Sequence, residues 1–269
     1  MNVPVKKSVA VTYCVYDSPE LMSLEMARRT AADMAQAAAS RGVARLALSG
    51  GNTPRRSLQL LASEDHPFRD QMPWDKLELY FVDERNVPPD DKESNYRMVK
   101  ESLLDHVPLA PERVFRMEGE LPAQEAAARY ESTLRNHLRL EGAELPAFDM
   151  VTLGMGPDGH TASLFPHTQA LHEWMGLCVP NHVPQKDTWR ITLTAPVINR
   201  GRDVVFLIAG ADKSEPLREV LLGAYDPEKY PSQLIRPASG QLTLLLDRAA
   251  AAELPPIADG DAGRLEVSR

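Results

Sequence analysis

The sequence predicts a doubly wound α/β fold, with one mainly parallel sheet and helices on both faces. Three observations predict it. Short apolar runs alternate with segments of helical periodicity along the chain, the order expected of βαβ units. The apolar runs are continuous instead of alternating, as in strands covered on both faces. The three most unusual segments, residues 49–54, 83–85 and 154–160, each follow such a run directly, where open α/β sheets hold their ligands.

Residues 9–16 read as the first strand. Lys6 and Lys7 ahead of it imitate a signal peptide. The run contains Thr12, Tyr13 and Tyr16, lacks an A-x-A cleavage site and flows into a helical pattern, so a strand is the better reading. Asp17, Ser18, Pro19 and Glu20 then supply a cap, a first-turn proline and an early acid for a helix over 21–39 that ends near Gly42. Strands follow at 46–48, 77–82 and 148–153, with helices at about 54–62, 94–106 and 122–141 between them. Strands at 190–194, 204–209 and 242–246 complete the pattern, the last two separated by a helix at about 214–222. No repeat or linker interrupts the chain, so a single domain over 1–269 is expected. The tail after about residue 250 is the weakest candidate for order.

The chain has 269 residues, 43% hydrophobic and 25% charged, and a formal net charge of −8. That charge argues against nucleic acid and anionic membranes as partners. No run approaches the roughly 18 apolar residues of a membrane span. Cys14 and Cys178 are the two cysteines and no C-x-x-C occurs, which predicts free thiols in a reducing, cytoplasmic setting. A monomer or small homo-oligomer is expected. Bulk acidity cannot attract an anionic substrate, so any phosphate site must be built from local donors.

Ser49-Gly50-Gly51-Asn52-Thr53-Pro54 turns from strand to helix. Paired glycines let backbone N–H groups approach a ligand, and the helix start favours an anion. Ser49 and Thr53 add hydroxyls. The Gly-Lys-Ser/Thr ending of a P-loop is absent, and Ala47 stands where a nucleophile elbow needs glycine. Asp83, Glu84 and Arg85 follow a buried strand directly, either as a solvated turn or as groups that orient sugar hydroxyls and balance a phosphate. Gly154, Gly156 and Gly159 imply unusual backbone geometry. His160 leaves that loop at the start of a predicted helix, and histidine is the ordinary general base near neutral pH. Asp158 lies two residues away. His160, His167, His172 and His182 form no H-x-x-x-H pair, so neither metal nor other cofactor is expected. Arg190 and Lys213, at strand ends, could clamp a phosphate.

Taken together, LALSGGNTP (46–54), WDKLELYFVDERNVPPDDKESN (74–95), FDMVTLGMGPDGHTASLFP (148–166) and RITLTAPVINRGRDVVFLIAGADK (190–213) resemble the 6-phosphogluconolactonase family. The resemblance implies a Rossmann-like fold and metal-independent hydrolysis of a sugar-phosphate lactone. It makes His160 the general base and Ser49, Gly50, Gly51, Thr53, Arg85, Arg190 and Lys213 the substrate contacts. Asp158, two residues from the histidine, shapes the loop or orients it, and Asp83 is the third catalytic candidate and the next choice for the base. The related glucosamine-6-phosphate deaminase/isomerases share the Ser-Gly-Gly loop and Asp-Gly-His. Their later loop reads HIAFNEP, whose glutamate falls at Phe165 here, and they usually carry tyrosine at the position of Arg85. A sugar-phosphate-binding domain without catalysis is the other alternative. Such domains usually follow a helix-turn-helix, for which the stretch before Val9 leaves no room.

Overall fold

The computed structural model describes residues 8–237, 239–257 and 262–268. β1 (Ser8–Tyr16) leads into α1 (Pro19–Arg41). The predicted cap is present: the Ser18 side chain accepts from the Leu21 N–H, Pro19 opens the helix, and Gly42 ends it at φ 78°, a left-handed turn that suits glycine. β2 (Ala44–Leu48), α2 (Asn52–Ala62), the one-turn α3 (Phe68–Gln71) and β3 (Leu77–Phe81) follow. Next come β4 (Asp83–Arg85), α4 (Asn95–Ser102), β5 (Val114–Phe115) and α5 (Ala123–Leu138). β6 (Met150–Leu153), β7 (Cys178–Val183), β8 (Thr188–Leu193) and α6 (Ala195–Ile198) precede β9 (Asp203–Ile208), α7 (Ser214–Leu222), β10 (Gln241–Asp247) and β11 (Ala262–Ser268).

Eight strands form one sheet in the order β11-β1-β10-β9-β6-β2-β3-β5. All its pairings are parallel except β1 with β11. The expected mostly parallel, Rossmann-like α/β sheet is therefore present. Tyr80, Phe81, Phe148, Met22 and Met34 are fully buried in the core. From β2 the chain works outward through β3 to β5, then returns to β6 on the other side and continues through β9 to β10. The reversal lies between β2 and β6, so the loops after those two strands flank the crevice where such sheets bind ligands.

Four sequence expectations need correction. The strand expected at 190–194 is β8, and it belongs to a separate antiparallel sheet of order β4-β8-β7. β7 gives no strand signal in the sequence, because Pro180 within it and Pro184 just after it look like loop. Residues 83–85 form strand β4 instead of a solvated turn, and Asp83 and Glu84 are buried. No helix starts at His160: Thr161 and Leu164 form an isolated bridge, with Ala162 at φ 49°. In the tail, β11 pairs with β1 along its length, and residues 258–261 and 269 lie outside the described residues. Val82 joins the two sheets: its N–H donates to Leu48 O (2.9 Å) and its carbonyl accepts from Leu193 N–H (2.8 Å).

Candidate active site

The loop after β2 is shaped by close approach. A Cβ at Gly50 would fall 1.7 Å from Asn95 Oδ1, so only glycine fits. Gly51 adopts φ 111° and caps α2 with no side-chain hydrogen bond, leaving the first-turn N–H groups, with Thr53 among them, to a ligand. Ser49 donates its N–H to Thr152 Oγ1 (3.1 Å), tying this loop to β6. The Ser49 hydroxyl is buried without a hydrogen-bond partner, so no neighbouring base activates it as a nucleophile. In this loop the glycine amides, more than the serine, suit an anion.

The β3–β4 corner is a buried polar cluster. Asp83 Oδ2 accepts from Ser163 Oγ (2.7 Å), and Asn95 Nδ2 donates to the Asp83 carbonyl (2.9 Å) and to Oδ1 (3.3 Å). Glu84 closes the start of α4, accepting from the N–H groups of Asn95 (2.7 Å) and Tyr96 (2.8 Å) and from Ser94 Oγ (3.1 Å). Burial pushes the Glu84 carboxyl up against those donors. Arg85 donates to the Glu93 carbonyl. Opposite it in the ladder stands Arg190, which donates to Thr188 Oγ1 (3.0 Å) and the Trp189 carbonyl (3.1 Å). Burial and the Arg85 charge pull the Arg190 guanidinium below its ordinary range. Like charges directly opposed on a ladder destabilise it, and among the described residues neither arginine forms an ion pair, although Asp83, Glu93 and Glu84 attract Arg190 at longer range. The arrangement is a cost to the fold unless an anion is bound.

The loop after β6 holds the histidine. His160 Nδ1 lies 2.5 Å from Asp158 Oδ1, and the His160 N–H donates to the same oxygen (3.2 Å). Burial would raise the Asp158 carboxyl, but the bonds and charge of His160 outweigh it and the net shift is down. An ionised carboxylate only accepts hydrogen bonds, so Nδ1 is the protonated nitrogen and, in the neutral imidazole, Nε2 carries the free lone pair. Phe165 stacks on the imidazole, centroids 4.0 Å apart and planes at 22°. The glycines serve proximity: a Cβ at Gly156 would lie 2.1 Å from His160 Nδ1, and one at Gly159 (φ 72°) 2.8 Å from the Tyr230 ring. Ser232 N–H and Oγ both donate to Gly159 O, at 2.9 and 2.8 Å.

Lys213 follows β9, the neighbour of β6, in a turn that Gly210 opens at φ 104°. It pairs with Asp212 at 2.7 Å and its side chain is 17% exposed. The structure thus sets the three loops named by the sequence at the carboxyl ends of β2, β3 and β6, with Lys213 at the end of β9. Hydrogen bonds join the first loop to β6, Asp83 to the His160 loop, and the ladder joins Arg85 to Arg190; no bond ties Lys213 to the arginines. Sequence reasoning missed Asn95 and Ser163. Asn95 was absorbed into a helix start, and Ser163 into a helix that is not there. Among the described residues, no three of His, Cys, Asp and Glu converge to hold a metal ion.

The profile of the family described as "Glucosamine-6-phosphate isomerases/6-phosphogluconolactonase" matches residues 17–244. The chain is 41% identical to a 6-phosphogluconolactonase of Synechocystis sp., over 82% of its own length and 89% of the relative's. It is 36% identical to one of Streptomyces coelicolor, over 90% and 94% of the two lengths. Its fold is similar to the solved structure of a 6-phosphogluconolactonase from Trypanosoma cruzi, with TM-score 0.81, 29% identity, and 93% and 99% of the two chains covered.

Proposed function

The chain belongs to the family of glucosamine-6-phosphate isomerases and 6-phosphogluconolactonases, and from that premise we propose how its residues divide the work of lactone hydrolysis. The enzyme converts 6-phospho-D-glucono-1,5-lactone to 6-phospho-D-gluconate, the lactone-opening step of the oxidative pentose phosphate pathway. The observation that carries the assignment of roles is the Asp158–His160 pair, which leaves Nε2 as a bare base. A water molecule attacks the ring ester carbonyl and gives its proton to Nε2. The tetrahedral oxyanion takes hydrogen bonds from backbone N–H groups of Gly50 and Gly51 at the start of α2. Collapse breaks the bond to the ring oxygen, which recovers the proton from the imidazolium and leaves as a hydroxyl. Asp158 stays ionised and orients the ring. Arg85, Arg190 and Lys213 hold the phosphate, and Thr53, in the first turn of α2, adds a further substrate contact.

Phe165 favours this reading over deamination, since an aromatic ring stacks on the histidine where a deaminase carries glutamate. Two free thiols, Cys14 and Cys178, support a reducing cytoplasmic setting, and no helix among the described residues is long and apolar enough to cross a membrane. The chain is expected to act as a monomer or small homo-oligomer. The test is hydrolysis of freshly made lactone in EDTA, against an enzyme-free control because the lactone also opens by itself. Deamination of glucosamine 6-phosphate at a comparable rate would overturn the reading.

A further inference from the structure

Asn95, Asp83 and Ser163 are 1%, 6% and 1% exposed, so none is placed to meet substrate. They nevertheless connect three loops. The Asn95 amide packs on Gly50, in the loop that presents the oxyanion donors. The same amide donates to Asp83 at two points, and Asp83 accepts from Ser163 Oγ, three residues beyond His160. Ser163 is held in turn: its N–H donates to Thr192 Oγ1 (3.3 Å) on β8, and its carbonyl accepts from Asn181 Nδ2 (2.8 Å) on β7. The loop carrying the base has no helix to fix it, and Ala162 within it sits at φ 49°, a conformation that non-glycine residues adopt only when the surroundings impose it.

We propose that Asn95 and Ser163, acting through Asp83, are positioning residues that set the distance between the general base His160 and the oxyanion donors of Gly50 and Gly51. This rests on the lactonase reading above. Asp83 is then the hub of a fully buried chain of hydrogen bonds, with two protein donors already on its carboxylate, and it takes no proton in the reaction. The chain spans the place where the fold reverses direction, so the two halves of the reaction machinery sit on opposite sides of it. Misplacing reacting groups by about 1 Å costs on the order of a hundredfold in rate, whereas the phosphate is gripped elsewhere, by Arg85, Arg190 and Lys213.

The test is steady-state kinetics and product binding on Asn95→Ala, Ser163→Ala and the double variant, each checked for an intact fold by circular dichroism. Each single change should lower kcat by roughly tenfold to a hundredfold while KM for the phosphorylated lactone and Kd for 6-phosphogluconate move less than about threefold. Because both act through Asp83, the double variant should lose much less than the product of the two single losses. Ser163→Ala removes only one oxygen, so it keeps the question answerable if Asn95→Ala does not fold. Wild-type kcat in either folded variant, losses confined to KM and Kd, or fully multiplicative losses would overturn the positioning role. An inactive wild-type enzyme would overturn the lactonase reading, and this inference with it.

Discussion

Arginines crowd both edges of the main sheet, and the two edges treat them in opposite ways. At the amino ends of the strands Arg29, Arg41, Arg45 and Arg202 each meet a carboxylate. Asp149, just before β6, takes Arg41 at 2.7 Å and Arg202 at 3.4 Å and accepts the Arg45 N–H at 2.8 Å. The Arg45 side chain reaches Glu78 at 3.0 Å, and Arg29 reaches Asp203 at 2.8 Å. At the carboxyl ends, Arg85 and Arg190 face each other across the β4–β8 ladder, and among the described residues neither forms an ion pair with a carboxylate. Of the acids whose charge reaches Arg190, Asp83 is bonded to Asn95 and Ser163 and Glu84 to the start of α4, while Glu93 attracts it without forming an ion pair. One edge spends its charge on stability, and the other keeps it for an anion. A chain of net charge −8 can thus bind a phosphate ester through a locally unbalanced patch.

If that contrast is right, changes at the carboxyl edge should cost activity and changes at the amino edge should alter stability while sparing activity. The largest expected effect is at His160. His160→Ala should lower kcat by roughly a hundredfold to ten-thousandfold, about 3–5 kcal/mol of barrier, with little change in product binding or in Tm. His160→Asn should do no better, because an amide hydrogen-bonds but takes no proton at neutral pH. In the wild type, kcat/KM should rise with pH and then level, since only the neutral imidazole accepts the proton. Asp158 does not supply that limb. Its carboxyl is held below the usual range, so it is ionised before the limb begins. Near wild-type turnover in His160→Asn, with the same limb, would put the base elsewhere.

The matching change at the amino edge is Asp149→Ala. Removing one partner of a buried ion pair costs about 3–5 kcal/mol. The low end is expected, because Arg202 is 55% exposed and can rehydrate. Denaturant unfolding should show the loss while kcat/KM stays within about twofold. A large loss of activity in still-folded protein would mean that the two edges are coupled and would break the comparison.

Much of this division could be read from the sequence, and the failures have physical causes. The βα alternation, the Ser18 and Gly42 caps and the three post-strand loops follow from short-range patterns. Arg85 and Arg190 were both singled out, yet their opposition depends on an antiparallel pairing between strands about a hundred residues apart that no local periodicity encodes. β4 is three residues long and β7 carries a proline, so neither gives a strand signal. The helix expected after His160 failed because the segment is held by side-chain bonds from Asp83, Asn181 and Thr192, contacts visible only once the chain is folded. Asn95 was hidden for the same reason.

Arg190→Ala sharpens the contrast from the ligand side. A charge-assisted bond to phosphate is worth about 1.5–3 kcal/mol, so kcat/KM for the phosphorylated lactone should fall roughly tenfold to a hundredfold or more. Unphosphorylated gluconolactone should be handled almost as before. Lys213→Ala should show the same split. Stability should hold or rise in Arg190→Ala, because the variant removes the charge opposed to Arg85. Equal losses on both lactones would assign Arg190 to folding or to chemistry.

The smallest expected effect tests the amino edge through pH. Burial drives the Asp203 carboxyl up to about 6, Arg29 opposes that and Asp33 adds to it; its Oδ1 is buried with no hydrogen-bond partner. In the unfolded chain the group titrates near 3.9, so the native state holds the proton more tightly. The associated stabilisation is complete below about pH 4 and is lost as pH rises through about 6. Above that the fold carries an ionised carboxylate that it disfavours. Asp203→Asn stays neutral throughout. Its stability relative to the wild type should therefore be nearly level below about pH 4 and should climb by about 1 kcal/mol on the way to pH 7, a modest figure because the Arg29 charge favours the ionised wild-type carboxylate. Chemical denaturation at several pH values measures the slope, and lactone hydrolysis should not change. A variant that instead lost stability with rising pH would show that the ion pair with Arg29 outweighs the burial of the carboxylate. The amino edge would then owe more to its salt bridges than a buried, half-satisfied acid suggests.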